Sequence, residues 1–367
     1  MILHLLTDDK FADYVIAQFA DAERRSSLVL IPSNNAMGLV HHVDQCQIVH
    51  QNSVEFEDLL NSLDQYSSLI LHGLMWGRWQ TKILQRVPKQ VKVAWYFWGG
   101  EIYSRQDVKN QFLAPITRVL YRLHEHKKRS QRDTSWEIPY ELFKRIDYCF
   151  TSIPEEYEFA RKYLKSPIKF IWYTYYSLED TIGSLIDKRC DGNNIWIGNS
   201  AAEWNNHFDA LWLLWRRGFV RKQDYDHVIL PLSYGSLWVR NLVIKIGHLL
   251  FGNRMLALTD FMPREEYNSL MLSCSTMIIN YYEPAAQGNI ITGLWLGMRI
   301  YLSDMSLAYA YYKRIGANVY SLESDLKKYQ FTPLSEEERA QNREVLQIWY
   351  GKQHVMEAVQ NVVHALQ

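Results

Sequence analysis

The sequence predicts an α/β protein built from two doubly wound, Rossmann-like domains. A length of 367 residues exceeds one ordinary core and suits two domains of roughly 150 to 200 residues each. Short apolar runs alternate with longer amphipathic ones, the pattern of βαβ units around a parallel sheet. A polar, Gly-containing break, Lys188-Arg189-Cys190-Asp191-Gly192-Asn193-Asn194, interrupts the alternation, which then restarts at once.

In the first half, strands are expected at Ile2–Leu6, Ser27–Ile31, Ser68–His72, Val91–Phe97, Tyr148–Thr151 and Ile168–Ile171, with helices at Phe11–Phe19, Val54–Leu63 and Gln106–Arg129. The second half reads as strands Ile195–Ile197, His227–Leu232, Arg254–Leu258, Thr276–Asn280 and Arg299–Leu302. Helices His207–Arg216, Leu237–Leu250, Arg264–Ser273 and Asn289–Leu296 alternate with them, and a helical region runs from Ser335 to the end. The expected division is therefore residues 1–190 as one domain, 191–335 as a second, and 336–367 as a helical segment packing back on the first.

Lys plus Arg equals Asp plus Glu at 40 each, so no global field draws the chain to nucleic acid. Hydrophobic residues at 48% and charged residues at 22% describe a packed globular protein. The cysteines Cys46, Cys149, Cys190 and Cys274 form no CxxC pair and read as reduced thiols. The start, Met1-Ile2-Leu3-His4-Leu5-Leu6-Thr7-Asp8-Asp9, has neither a basic lead nor a long apolar core, and no run is long enough to span a bilayer. A cytoplasmic protein is expected.

In two doubly wound domains facing each other across a cleft, ligands sit outside the carboxyl ends of the strands, where N–H groups at helix starts point at anions. Gly198-Asn199-Ser200 follows one strand, ahead of Asn205-Asn206-His207 at a helix start: small residues and neutral donors suited to a pyrophosphate, or a plain Gly turn with an Asn cap. The spacing is not GxGxxG, which disfavours an ordinary dinucleotide enzyme. Ser233-Tyr234-Gly235 follows the next strand, and Tyr234 has a ring either for stacking on a base or sugar or for ordinary packing. The richest segment is Asn280-Tyr281-Tyr282-Glu283-Pro284-Ala285-Ala286-Gln287-Gly288-Asn289. A carboxylate there, at Glu283, can accept both ribose hydroxyls, and the N–H groups of Gly288 and Asn289 suit a diphosphate; the competing reading is a surface Glu before an Asn-capped helix.

With Leu230-Pro231-Leu232-Ser233-Tyr234-Gly235, Phe251-Gly252-Asn253-Arg254 and Gln287-Gly288-Asn289-Ile290, these motifs resemble the bacterial 4-acetamido-4,6-dideoxygalactose transferases. That family is also described as TDP-N-acetylfucosamine:lipid II N-acetylfucosaminyltransferases, glycosyltransferase family 56. The resemblance covers most of the chain and is densest from Ile195 to Leu322; Ala285-Ala286 departs from the family pattern. Val93-Ala94-Trp95-Tyr96-Phe97-Trp98-Gly99-Gly100-Glu101-Ile102-Tyr103 also resembles the family's Trp-Gly-acidic region. The resemblance implies a GT-B fold, a dTDP-sugar donor, a polyprenyl-diphosphate-linked acceptor, and a place in enterobacterial common antigen or a related surface glycan.

On the acceptor side, Glu101 is the expected general base, with an N-cap or salt bridge as its competing use. His72, Trp98, Gly99 and Gly100 are expected near the acceptor, although His72 also reads as a structural histidine. No metal or other cofactor is expected: Asp224-Tyr225-Asp226 spells a DxD metal motif but precedes its strand, at the end of the sheet away from ligand. Arg118, Arg122, Lys127, Lys128, Arg129 and Arg132, interleaved with apolar residues, suit either an anionic membrane face or a solvated helix end. A nucleotide-sugar epimerase and a non-enzymatic two-lobed binding protein are the competing functions.

Overall fold

The computed structural model describes residues 1–7, 11–20, 26–32, 40–74, 78–127, 137–221 and 224–367. The chain forms two units: Met1–Arg105 with Gln131–Ser177 and Lys352–Gln367, and Gln106–Ser130 with Leu178–Gly351. The chain first leaves unit 1 for residues 106–130, crosses again at Ser177, and returns to it after Gly351.

Unit 1 contains β1 (Ile2–Leu6), α1 (Ala12–Ala20), β2 (Ser26–Leu30), β3 (Gln47–Ile48), α2 (Val54–Asn61), β4 (Ser68–Leu71), α3 (Trp79–Arg86), β5 (Lys92–Tyr96) and α4 (Gly100–Tyr103). The next helix along the chain, α5 (Pro115–Lys127), belongs to unit 2, and β6 (Tyr148–Thr151), α6 (Pro154–Leu164) and β7 (Lys169–Trp172) complete the sheet of unit 1. Its seven strands lie in the order β3-β2-β1-β4-β5-β6-β7, and every pairing is parallel. The central strands β1 and β4 are buried along their whole length because helices cover both faces.

Unit 2 continues with α7 (Leu178–Ile182), β8 (Asn194–Ile197), α8 (His207–Arg216), β9 (Val228–Pro231), α9 (Leu237–Phe251), β10 (Met255–Leu258), α10 (Arg264–Leu272) and β11 (Cys274–Ile279). It ends with α11 (Gln287–Leu296), β12 (Arg299–Leu302), α12 (Leu307–Arg314), β13 (Val319–Ser321), α13 (Leu326–Tyr329) and α14 (Glu336–Tyr350). Its sheet order is β10-β9-β8-β11-β12-β13, again wholly parallel. Both sheets reverse direction of growth once, between β1 and β4 and between β8 and β11. Crevices outside the carboxyl ends of strands at such switch points are where open α/β sheets take ligand.

The helix expected over Gln106–Arg129 is instead a turn at Lys109–Gln111 followed by α5. Pro115 has no N–H to continue an earlier helix and sits well at a helix start. The Asp209 carboxylate, from α8, then accepts from Ile116 N at 2.8 Å, Thr117 N at 2.9 Å and Thr117 Oγ1 at 2.7 Å, satisfying the open first turn. The expected closing helical region consists of two helices. Helix α14 starts in a capping box of Ser335 and Glu338, and after Gly351 helix α15 (Lys352–Leu366) buries Val359, Val362, Val363 and Leu366 in the core of unit 1.

Candidate functional site

In unit 2 the loops after β8, β9 and β11 are tied to one another by side chains. Asn199, just past β8, donates from Nδ2 to the Tyr234 hydroxyl at 2.8 Å, and its Oδ1 accepts from Asn289 Nδ2 at 2.9 Å. Asn289 also donates to the Tyr267 hydroxyl on α10 at 2.8 Å. Beneath this surface layer lies a buried one: Asn205 Nδ2 donates to Ser200 Oγ at 2.9 Å and to the Tyr281 hydroxyl at 2.6 Å. Strand ends on both sides of the β8/β11 switch point are thereby locked together. Sequence reasoning named Asn199, Ser200, Tyr234 and Asn289, but not the anchors Tyr267 and Tyr281, which carry no motif of their own.

Two glycines make the close approach feasible. Gly198 has φ +74°, and a Cβ there would stand 2.2 Å from His207 Cε1. The His207 ring fills that space and donates from Nε2 to the Ser200 carbonyl at 2.7 Å; burial pushes its pKa down to about 4, so it is neutral. Gly235 has φ +112° and meets the Ala201 backbone, where a Cβ would lie 2.4 Å from the Ala201 carbonyl carbon. Ala201 N donates to the Tyr234 carbonyl at 2.7 Å, which draws the β9 loop, with half-buried Ser233, against the β8 loop.

Helix α11 opens at this junction. Ala286, before it, adopts the left-handed conformation with φ 60°, no side chain caps the helix, and its first turn holds no acidic residue. Its leading N–H groups are therefore available to an anion. Gly288 has open space where a side chain would be, and Gln287 accepts from the Tyr312 hydroxyl at 2.7 Å while its Nε2 is buried without a partner. Glu283 lies in the preceding loop. Desolvation alone pushes its carboxyl up to about 8, and no side chain among the described residues hydrogen-bonds it. A half-buried carboxyl with no side-chain partner among the described residues can accept from hydroxyl donors.

In unit 1, Glu101 is 2% exposed. Its Oε1 accepts from Leu74 N at 3.1 Å, Trp95 Nε1 at 3.2 Å and Trp98 N at 3.3 Å, while Oε2 is enclosed with no partner. Burial raises its pKa against the pull of these donors. This geometry braces two loops and gives the expected base no open oxygen. His72 is also enclosed: Nε2 meets His4 Nδ1 at 3.1 Å and Nδ1 meets the Tyr175 hydroxyl at 3.1 Å. Burial lowers the pKa of His72 well below normal, so it is a neutral core residue. Trp98 is half-buried and stacks on Tyr175 at 5.0 Å between centroids. Gly99, at φ +98°, clears Tyr103, and Gly100 begins α4.

The DxD carboxylates precede β9, at the end of the unit 2 sheet opposite these loops. Asp226 shares a cavity of about 650 Å³ there with Asn194, Arg221, Tyr225, His227 and Arg254. In α5, Ile116 and Leu120 pack against the core while Val119 and Leu123 face outward. Arg118 folds back to the Leu113 carbonyl at 2.7 Å, Arg122 is exposed, and Lys127 ends the helix. Lys128, Arg129 and Arg132 lie outside the described residues.

No protein-family model matches the sequence, and no curated protein matches it. Solved structures match along the whole chain. A glycosyltransferase from Rickettsia africae ESF-5 superposes with a TM-score of 0.65 at 10% identity, over 100% of this chain and 98% of that one. Anabaena Alr3699/HepE, in complex with UDP and glucose, gives 0.63 at 10% identity, over 100% and 98%. The lipopolysaccharide outer core galactosyltransferase WaaB gives 0.62 at 9% identity, over 100% of both chains. At these identities the likeness speaks to fold: this chain has the GT-B fold, a pair of doubly wound parallel sheets.

Proposed function

We propose that the chain is a glycosyltransferase using a nucleoside diphosphate sugar. The observation that carries this reading is the convergence at Asn199: three loops at a switch point, an uncapped helix start, and the desolvated Glu283. In this reading Glu283 accepts the ribose hydroxyls. Gly198, Asn199, Ser200, Ser233, Gln287, Gly288 and Asn289 hold the diphosphate or sugar, and Tyr234, 56% exposed, stacks on the base or sugar. The acceptor hydroxyl attacks the anomeric carbon, the bond to the diphosphate oxygen breaks, the hydroxyl proton passes to the departing diphosphate, and the α11 N–H groups stabilise the charge that develops on the leaving group. The family resemblance supports dTDP as the nucleotide, a 4-acetamido-4,6-dideoxyhexose as the sugar, and a polyprenyl-diphosphate-linked glycan as the acceptor. HepE is described with UDP and glucose, which makes UDP the rival donor nucleotide.

We place unit 1 on the acceptor side, with Glu101 and His72 as positioning residues behind Trp98. No described helix is long and apolar enough to cross a membrane; Val119, Leu123 and Arg122 on α5 supply an outward face for a lipid-linked acceptor at the cytoplasmic side. Thermal stabilisation by dTDP, UDP and GDP tests the donor assignment. Nucleotide at about 100 times its dissociation constant adds about 2.7 kcal/mol, and Glu283→Ala should abolish most of it. If none of the three stabilises the protein, the reading is wrong.

A further inference from the structure

Helix α8 carries its charge and its exposed aromatics on adjoining sides. Leu213, Arg216 and Arg217 follow helical spacing on one side and, with Lys327 of α13, line a cavity of about 520 Å³. Three cations converge in that concavity, and among the described residues no carboxylate lines it. Arg217 is pinned there by hydrogen bonds to the backbone carbonyls of Leu322 and Glu323. The Glu323 carboxylate is engaged elsewhere, accepting from Ser303 Oγ at 2.6 Å and Asp304 N at 2.9 Å. Holding like charges together around a hollow costs energy that an anion entering it would offset.

Beside the cavity stand Trp212 and Trp215, 41% and 55% exposed, with the Arg216 guanidinium 4.9 Å from the Trp212 ring centre. Exposed tryptophans beside cations are the chemistry of a membrane interface, where the ring lies at headgroup level and the cation meets phosphate. The site is separate from the nucleotide loops: α8 begins beside Ser200, and its last turn lies roughly 10 to 14 Å further along its axis.

We infer that this cavity takes the phosphate of an anionic lipid headgroup, with Trp212 and Trp215 in the interfacial layer. The site is distinct from the α5 face, and the inference does not depend on the sugar-transfer reading.

Flotation of the full-length protein with phosphatidylcholine vesicles, with and without about one-third phosphatidylglycerol, tests it. Each cation near an anionic surface is worth about fivefold in partitioning. The double variant Arg216→Gln/Lys327→Gln should therefore bind the anionic vesicles about 25-fold more weakly, whereas Arg216→Lys/Lys327→Arg should bind like the wild type. Trp212→Ser/Trp215→Ser should weaken binding even at low salt, and an unchanged melting temperature shows that each variant is folded. Equal binding by wild type and the Gln variant overturns the assignment. So does loss of binding only in Arg122→Gln, which would put the contact on α5. Stabilisation by inorganic phosphate with no vesicle binding also overturns it, because the cavity would then serve a soluble anion.

Discussion

Replacing Glu283 by Gln separates a carboxyl stranded out of water from one that is merely at the surface. Burial lifts its pKa from the ordinary 4.5 to about 8, so the folded state binds an extra proton between those limits. A raised folded-state pKa means stability is fully present below about pH 4.5 and declines as pH rises towards 8. The slope is about 1.4 kcal/mol per pH unit, or about 3 kcal/mol by pH 7. Glu283 is half-buried, and partial access of water to its edge reduces this to about 2 kcal/mol. Gln keeps the shape and does not titrate. Its melting temperature should match the wild type near pH 4.5 and exceed it by about 4 to 8 °C near pH 7. Calorimetry of both proteins across this range, read as a difference, cancels every other titrating group. Nucleotide binding should move the opposite way. Ribose hydroxyls favour the carboxylate, so wild-type affinity should rise with pH up to about 8, and the Gln variant should show a flat, weaker profile. A Gln variant no more stable than the wild type near pH 7, or a difference that does not grow with pH, would refute the reasoning.

Gly288→Ala meets nothing in the free protein and should leave its melting temperature level or slightly higher, yet weaken nucleoside diphosphate binding about tenfold, about 1.4 kcal/mol by titration calorimetry. Gly198→Ala should do the reverse: with φ +74° and a Cβ 2.2 Å from His207, it should cost about 2 to 4 kcal/mol in urea unfolding. Glu101→Gln retains an oxygen for Leu74, Trp95 and Trp98 and should keep both stability and transferase turnover. Glu101→Ala, which strands buried donors, should lose about 2 to 4 kcal/mol. An intact fold with turnover lost in Glu101→Gln would restore the residue as the base.

Apolar runs made most strands readable: β1, β4, β6, β8 and β12 fall within a residue of expectation, and so do the partly exposed β7 and β10. Strand β3, two residues long and exposed at the sheet edge, and β13, three residues long, offer too little pattern to register. The crossover at Ser177 has no local signature either. Lys188–Asn194 is polar because it is a surface turn before β8, while α7, before it, already packs on α11 and α14 of unit 2.

The candidate site divides along the same line. Gly198, Gly235 and Glu283 could be found because each follows an apolar strand and breaks its pattern. What would make them a site could not be found that way. Asn199 reaches partners 35 and 90 residues distant, and Glu101 reads as a free carboxylate until Leu74, 27 residues upstream, folds over it. Sequence position tells which residues reach the open ends of the strands. Whether a carboxylate there faces a ligand or braces a loop depends on how many donors the fold delivers to it: three for Glu101, and for Glu283 none among the described residues. That difference in unmet hydrogen-bonding capacity is the physical ground for assigning recognition to Glu283 and support to Glu101.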